Sequence, residues 1–202
     1  MSYSQFTLKS VRETFDLTLV EGGNFFEESQ EIAPSPYLAE FISRNLQLAI
    51  ALNTEKARSE LLICPLLIAV KEIGNGKISL FSGEEFNVEP ELGLNGTCDY
   101  LLSLSPEQLY IEAPVMVVVE AKKEDLKTGL GQCIAEMLAA WRFNEQAENN
   151  IPLIYGVITT GTLWRFLKLE NKTVTIDLSE YFLPPVEPIL GKLAQMVSII
   201  ES

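Results

Sequence analysis

The chain has 202 residues, of which 47% are hydrophobic, and this length and composition predict one domain with a sizeable core. It contains no histidine, so Ser-His and Cys-His nucleophile pairs and His-ligated zinc are excluded. Any catalysis must therefore use carboxylates and lysine. The net charge is −13. Seven acids from Glu13 to Glu40 and eight from Ile78 to Ala121 are uninterrupted by any basic residue, and such surfaces repel phosphates.

Neither the hydropathy pattern nor the N-terminus predicts a membrane or secretory segment. No apolar run approaches the roughly 18 residues that a membrane span needs. The first ten residues, MSYSQFTLKS, lack the cationic start and apolar stretch of a signal peptide. The three cysteines, Cys64, Cys98 and Cys133, show no metal-ligand spacing. We therefore expect free thiols in a cytoplasmic protein without a membrane partner.

The first third of the chain predicts short strands followed by two helices. Residues 6–20 alternate partly between apolar and polar side chains, which favours one or two short strands. A loop then leads to a helix predicted for residues 36–51, where apolar side chains repeat every three to four positions. A capping Asn-Thr pair precedes a second helix, residues 55–72, in which we expect Pro65 to cause a kink or a division.

The middle of the chain predicts a strand, an acidic loop and a hairpin. Residues 77–81 follow an Asn-Gly turn signal and are typical of a short strand, and residues 82–97 are loop-like. Two apolar runs, residues 99–104 and 115–121, fit the two strands of a hairpin. The second run begins with five apolar residues without polar alternation, which indicates a central strand covered on both faces.

The last third predicts a long helix, a second hairpin and a final helix. Residues 126–147 carry an apolar stripe at helical spacing. The segments LIYGVIT and LWRFLKL, separated by a Thr-Gly turn, predict paired strands, and residues 188–200 predict a helix. The order of the elements favours an α/β fold in which helices flank a mixed central β-sheet.

The end of the apolar strand at residues 115–121 carries the residues of chemical interest. Glu120 and Lys122 are two positions apart, so on a strand they point to the same face, about 7 Å apart. The hairpin can bring Asp99 beside Glu120. Two carboxylates and the carbonyl of Ala121 supply the oxygen ligands that Mg²⁺ prefers. Lys122 can orient or help to deprotonate an attacking water and offset phosphate charge, so this strand end predicts metal-dependent phosphodiester hydrolysis.

A Glu-x-Lys tripeptide alone is a weak signal. A strand that leaves a core usually meets charged residues, and this tripeptide is expected by chance about once in a chain of this length. The chain holds a second match, Glu170-Asn171-Lys172, which has no acidic strand before it and which we interpret as a surface turn. For Glu120 and Lys122, a merely solvated strand end therefore remains the alternative.

The order of the surrounding elements adds context. A helix with glutamates, a strand with Asp99, a strand ending in Glu120-x-Lys122 and a long helix together resemble a bacterial member of the PD-(D/E)xK nuclease superfamily. The resemblance covers residues 53–170, from the helix EKARSELLICPLL to the closing hairpin LIYGVITTGTLWRFLKL. It implies a single domain, residues 1–202, with a restriction-endonuclease-like core. An N-terminal strand/helix extension (1–52) would precede the core, and a C-terminal strand and helix (171–202) would follow it.

The resemblance also implies roles for individual residues. Asp99 and Glu120 would bind Mg²⁺ or Mn²⁺, and Lys122 would be the catalytic lysine. A helix glutamate often completes the site in this superfamily, and here Glu60 is the candidate and Glu55 the rival. For both glutamates, a solvated helix face is the alternative.

Two positions depart from the superfamily pattern. Gln132 stands where some members carry a glutamine four residues before a tyrosine, but Glu136 replaces the tyrosine. Helical spacing places Gln132 opposite the apolar stripe, so we interpret it as part of a plain polar face. Cys98 precedes Asp99 where the family name expects proline, a position at which relatives vary.

Other conspicuous residues have simpler interpretations. Gly129 and Gly131 faintly resemble a phosphate loop but lack the Walker spacing. Two tryptophans follow core-like periods and two lysines are expected to be solvated: Trp141, Trp164, Lys123 and Lys127.

Three functions fit these observations. The chain could be a Mg²⁺-dependent nuclease acting on DNA or RNA, a non-catalytic module that binds a partner protein, or a catalytic subunit whose nucleic-acid contacts come from another chain. The acidity favours the second or third function, whereas the retention of Asp99, Glu120 and Lys122 favours the first or third. The high apolar content is also compatible with a homodimer.

Overall fold

The computed structural model describes residues 1–26, 29–149 and 151–198. The helices in these ranges are α1 (Leu8–Phe15), α2 (Pro36–Leu52), α3 (Glu55–Arg58), α4 (Cys64–Ile73), α5 (Leu126–Gln146) and α6 (Glu187–Val197). The strands are β1 (Thr18–Glu21), β2 (Ser79–Glu85), β3 (Thr97–Ser103), β4 (Val115–Ala121), β5 (Leu153–Thr159), β6 (Leu163–Glu170), β7 (Thr173–Ile176) and β8 (Tyr181–Phe182). Short 3-10 turns occupy Tyr3–Gln5 and Pro90–Leu92, and a π-helical turn occupies Ser59–Ile63.

One mixed β-sheet forms the centre of the fold. Its strands follow the order β1-β7-β6-β5-β4-β3-β2, and β8 pairs with β6. The β4–β5 and β1–β7 pairs are parallel, whereas the other pairs are antiparallel. Helices α2, α4 and α6 contribute to one buried apolar cluster, and α1 and α5 contribute to a second. The predicted α/β class, with helices flanking a mixed central sheet, is confirmed.

Strand β4 lies in the middle of the sheet and explains the uninterrupted apolar run. Both of its neighbours, β3 and β5, are hydrogen-bonded to it, and all seven of its residues are buried. Helix α5 packs against β4 and β5. A strand covered on both faces has no solvent side on which polar residues could alternate. The predicted central strand and its hairpin with β3 are therefore confirmed.

The N-terminal strand prediction is wrong for residues 8–15, which form α1. Thr7 caps this helix, since its hydroxyl accepts a hydrogen bond from the backbone N–H of Ser10. Leu8, Val11 and Phe15 all belong to or pack against the apolar cluster beneath α5. Their spacing of three and four is helical, and the partial alternation of the polar residues between them concealed it. Only the strand prediction for residues 18–20 is confirmed.

The helix that contains Pro65 changes its hydrogen bonding one turn before the proline, as predicted. The π-helical turn at Ser59–Ile63 separates α3 from α4, and the backbone N–H of Cys64 donates to the carbonyl of Ser59. Pro65 then sits in the first turn of α4. This division fixes where Ser59 and Glu60 lie relative to the sheet.

Two other boundaries differ from the predictions. Strand β2 continues to Glu85 because Ser82, Glu84 and Glu85 pair with β3, so part of the predicted loop is strand. Helix α6 ends at Val197, and the predicted continuation to residue 200 falls outside the described residues.

In the part of the chain that the structure describes, no helix combines the length and apolar character that crossing a membrane requires.

Candidate active site

The hairpin of β3 and β4 brings the predicted site residues to one end of the sheet. Tyr100 pairs with Val119 in antiparallel register, so Asp99 and Glu120 occupy the next position along the two strands. A side-chain oxygen of Asp99 accepts a hydrogen bond of 2.8 Å from the backbone N–H of Ala121. The backbone N–H of Lys122 donates to the Thr159 carbonyl at 2.8 Å, which anchors the end of β4 to β5. The sequence-based prediction that Asp99, Glu120 and Lys122 converge agrees with this geometry.

Glu120 is a buried acid with one satisfied oxygen. Glu120 is only 1% exposed, and its Oε1 accepts a hydrogen bond from Nζ of Lys122. Its Oε2 is buried and has no hydrogen-bond partner among the described residues. Burial and, to a lesser extent, the charge of Asp99 raise the pKa of Glu120 to about 7, against the opposing effect of Lys122. At neutral pH the carboxyl group therefore exchanges readily between its acid and base forms.

Asp99 lies at the edge of the same buried region. Burial raises its pKa above the ordinary aspartate range. The hydrogen bond from the amide of Ala121, the charge of Lys122 and an interaction with the Glu120 carboxyl offset part of this effect. Two buried carboxyl groups with raised pKa values at one point indicate a candidate functional site.

Lys122 is held at both its stem and its head. The head group bonds Glu120 and also donates to Oε1 of Gln132 at 3.3 Å. The stem runs over Gly129, where a Cβ atom would stand 2.9 Å from Cε of Lys122. Burial alone would lower the pKa of Lys122, but the charge of Glu120 and the bond to it outweigh this effect, so the pKa is raised. The ammonium form is therefore the resting state.

The two glycines of α5 serve packing, which agrees with the absence of Walker spacing. Gly129 leaves room for the Lys122 side chain, as described above. At Gly131 a Cβ atom would approach the backbone oxygen of Phe6 to 2.3 Å, so only glycine lets the N-terminal segment lie against α5.

The two candidate helix glutamates differ in their surroundings. Both side chains line a cavity of about 260 Å³, together with Asp99 and Tyr100. The charge of Glu55 acts on Glu120 and on Lys122, raising the pKa of each. Glu60 instead forms an ion pair of 3.1 Å with Lys56 and is largely exposed. These charge interactions favour Glu55 over Glu60 as the helix acid of the site, the reverse of the sequence-based preference.

The donor atoms at the strand end fit a divalent cation only in part. Across the described residues, no group of three or more His, Cys, Asp and Glu side chains could hold a metal ion. Asp99, Glu120 and the carbonyl of Ala121 are an incomplete oxygen set that water or substrate would have to complete, as is usual for Mg²⁺. The buried Oε2 of Glu120, which lacks a hydrogen-bond partner within the described ranges, is an acceptor that a cation would satisfy.

The interpretation of Gln132 as a plain polar residue is wrong. Gln132 is half-buried, and besides its contact with Lys122 its Nε2 donates to Oε1 of Glu136 at 3.0 Å. Glu136 is completely buried. Sequence reasoning missed it because a glutamate in a helix is usually solvated. The one available signal was the small and apolar residues on either side of it, which bury the whole of α5 around it.

The remaining sequence-based interpretations agree with the structure. Glu170 and Lys172 flank an exposed turn in which Asn171 has a φ of 54°. Trp164 is fully buried and its Nε1 donates to the carbonyl of Gly161, as expected for packing. Trp141 packs against the apolar cluster, whereas the two lysines beside the motif are exposed: Lys123 and Lys127. All three cysteines are free thiols.

No protein-family model matches the chain, and no curated protein sequence matches it either. The function proposed below is therefore inferred from the geometry of the strand end.

Proposed function

We propose that the chain is a Mg²⁺- or Mn²⁺-dependent phosphodiesterase of the PD-(D/E)xK type that acts on nucleic acid. The observation that carries this proposal is the convergence of Asp99, Glu120 and Lys122 at the end of two neighbouring strands. The second Glu-x-Lys match, at Glu170 and Lys172, lies instead in an exposed turn. The two matches have the same tripeptide pattern, so their positions in the fold are what distinguish them.

The environment of each residue at the strand end favours a different role in the proposed reaction. Asp99, Glu120 and the Ala121 carbonyl would hold the metal ion, which would supply positive charge to stabilise the phosphate as its bond breaks. Lys122 is an ammonium donor fixed beside these carboxyls, so it can bind a phosphate oxygen or orient an attacking water. Glu120, whose pKa is about 7 without a metal ion, would release its proton when the cation binds.

The test compares the two Glu-x-Lys pairs of this chain. Metal binding is measured by calorimetry and cleavage is measured at low salt with Mg²⁺ or Mn²⁺ on single-stranded and duplex DNA and RNA. We expect Glu120→Gln and Lys122→Ala to lower cleavage about a hundredfold or more. Glu170→Gln and Lys172→Ala are matched controls that should cleave like the wild type.

We expect bare duplex DNA to be a poor substrate. Neutralising a duplex takes several basic contacts, and the chain has 15 basic residues against 28 acids. If the wild type binds no metal ion, the non-catalytic, partner-binding module becomes the better assignment. If cleavage survives in both Glu120→Gln and Lys122→Ala, the nuclease activity belongs to another site or to a contaminant.

A partner-dependent subunit is the second candidate. The net charge of −13 and the exposed acids Glu55 and Glu60 beside the cavity favour a second chain that supplies the basic surface. Binding of nucleic acid only in the presence of such a chain, with metal binding by this chain alone, would distinguish it.

A further inference from the structure

Glu136 lies behind the lysine of the proposed site and connects to it through one amide. Nε2 of Gln132 donates to Oε1 of Glu136 at 3.0 Å, and Oε1 of the same amide accepts from Nζ of Lys122 at 3.3 Å. Gln132 and Glu136 are four residues apart on α5, so the helix presents both on one face. The three side chains form a chain of contacts that runs from the interior to the strand end.

The direction of the amide matters for the lysine. An ammonium group only donates hydrogen bonds, so Lys122 requires the amide oxygen of Gln132 and would be repelled by the amide nitrogen. A carboxyl group offers an accepting oxygen whether or not it is protonated. Glu136 therefore holds the nitrogen of the amide and turns its oxygen toward Lys122.

The packing around Glu136 does not by itself require a carboxyl group. Glu136 is 0% exposed, and within the described ranges its Oε2 has no hydrogen-bond partner. Burial raises its pKa well above the ordinary glutamate range, and the charge of Glu120 adds to this effect. A buried polar group that is only half satisfied destabilises a fold, and an apolar side chain of similar size would avoid this loss. A buried acid at this position therefore indicates a role beyond packing.

We propose that Glu136 is a positioning residue that, through the amide of Gln132, orients the ammonium group of Lys122 toward Glu120 and Asp99. This inference rests on the proposed phosphodiesterase function, because the orientation of Lys122 has a use only if the lysine contacts the substrate or its water. Glu136 does not line the cavity that Asp99 and the two helix glutamates line, and its hydrogen bond is to Gln132, so it acts on Lys122 through that amide.

The experiment separates the hydrogen bond from the volume of the side chain. Glu136→Leu removes the acceptor, Glu136→Gln keeps an accepting oxygen of the same shape, and Gln132→Leu breaks the chain at a half-buried position. Each variant is measured for Mn²⁺-dependent cleavage, giving kcat and KM, and for the order of the Lys122 ammonium group by ¹⁵N relaxation. Thermal unfolding confirms that each variant is folded.

We expect Glu136→Leu and Gln132→Leu to lower kcat about tenfold, the equivalent of one hydrogen bond, with KM changed less than about twofold. Glu136→Gln should restore kcat to within about threefold of the wild type. The Lys122 ammonium group should become more mobile in the two leucine variants and stay ordered in Glu136→Gln. If Glu136→Leu does not fold, Glu136→Met removes the acceptor with an unbranched side chain and provides the same comparison.

The two measurements also separate failure of this inference from failure of the proposed function. Unchanged lysine order in both leucine variants overturns the positioning role, whatever the activity. Equal losses of kcat in Glu136→Gln and Glu136→Leu overturn it as well, because the retained acceptor would then have no effect. If the wild type cleaves no substrate but lysine order falls in the leucine variants, the phosphodiesterase proposal fails and the orienting contact stands.

Discussion

Replacing Glu120 by glutamine should stabilise the metal-free protein at high pH and leave its stability unchanged at low pH. In the fold, the pKa of Glu120 is about 7, against 4.5 for the ordinary group. Between these values the unfolded chain has released the proton while the folded chain keeps it, so the free energy of unfolding falls as pH rises. The effect is complete above pH 7 and absent below pH 4.5.

The size of the effect follows from the separation of the two pKa values. Each tenfold change in a dissociation constant corresponds to about 1.4 kcal/mol, so the shift from 4.5 to about 7 is worth about 3 kcal/mol. Screening by solvent is small because Glu120 is 1% exposed. Glutamine cannot ionise, and its amide oxygen can still accept the hydrogen bond from Lys122.

The assay is urea unfolding of the wild type and Glu120→Gln from pH 4 to pH 8 in the presence of a chelator. We expect equal stabilities near pH 4 and a variant more stable by about 3 kcal/mol near pH 8. Adding Mn²⁺ at about 100 times its dissociation constant should raise the stability of the wild type alone by about 3 kcal/mol. A difference that is constant with pH, or that favours the wild type at pH 8, would refute the reasoning.

Two further pairs of variants test the surroundings of Lys122. Gly129→Ala should slow cleavage about tenfold because its Cβ would displace the Lys122 stem, while helix propensity gains about 1 kcal/mol of stability. Gly131→Ala should instead destabilise the fold by about 2 kcal/mol, measured by urea unfolding, because its Cβ meets the backbone of Phe6. Glu55→Gln should weaken Mn²⁺ binding, measured by calorimetry, more than the matched Glu60→Gln, because the charge of Glu55 raises the pKa values of Glu120 and Lys122. A larger loss of binding in Glu60→Gln would instead favour Glu60 as the helix acid.

The sheet and the strand end could be predicted from the sequence because their signals are local. The unbroken apolar run of β4 required a covered central strand, and the polar residues at its end marked where the strand leaves the core. Asp99 could be placed beside Glu120 because a hairpin fixes which strand ends meet. These inferences needed only periodicity and the direction of the chain.

The remaining features depend on contacts between segments that are distant in the sequence, and sequence periodicity does not predict such contacts. Apolar and polar side chains alternate in residues 8–15 enough to resemble a strand pattern. The segment is a helix because Thr7 caps it and its apolar side chains pack in the cluster beneath α5. Glu55 lies in α3 and Glu60 in the π-helical turn that follows it, a departure from ideal helical geometry that periodicity does not predict, so the choice between the two glutamates needed the structure. Glu136 was missed because a glutamate in a helix is usually solvated, and only the small and apolar residues around it on α5 indicated burial.

The strand end and the cavity beside it carry an excess of acidic side chains, which affects both metal and phosphate binding. Burial raises the pKa values of Glu120 and Asp99, and the charge of Lys122 offsets only part of this effect. Exposed Glu55 and Glu60 add negative charge at the neighbouring cavity. Under the proposed function, a phosphate group approaching this end of the sheet would be repelled until a divalent cation bound there. That cation would favour the ionised form of Glu120, so metal binding would be coupled to proton release. The cation would therefore have to bind before or together with the phosphate, which makes the proposed activity depend on the metal ion.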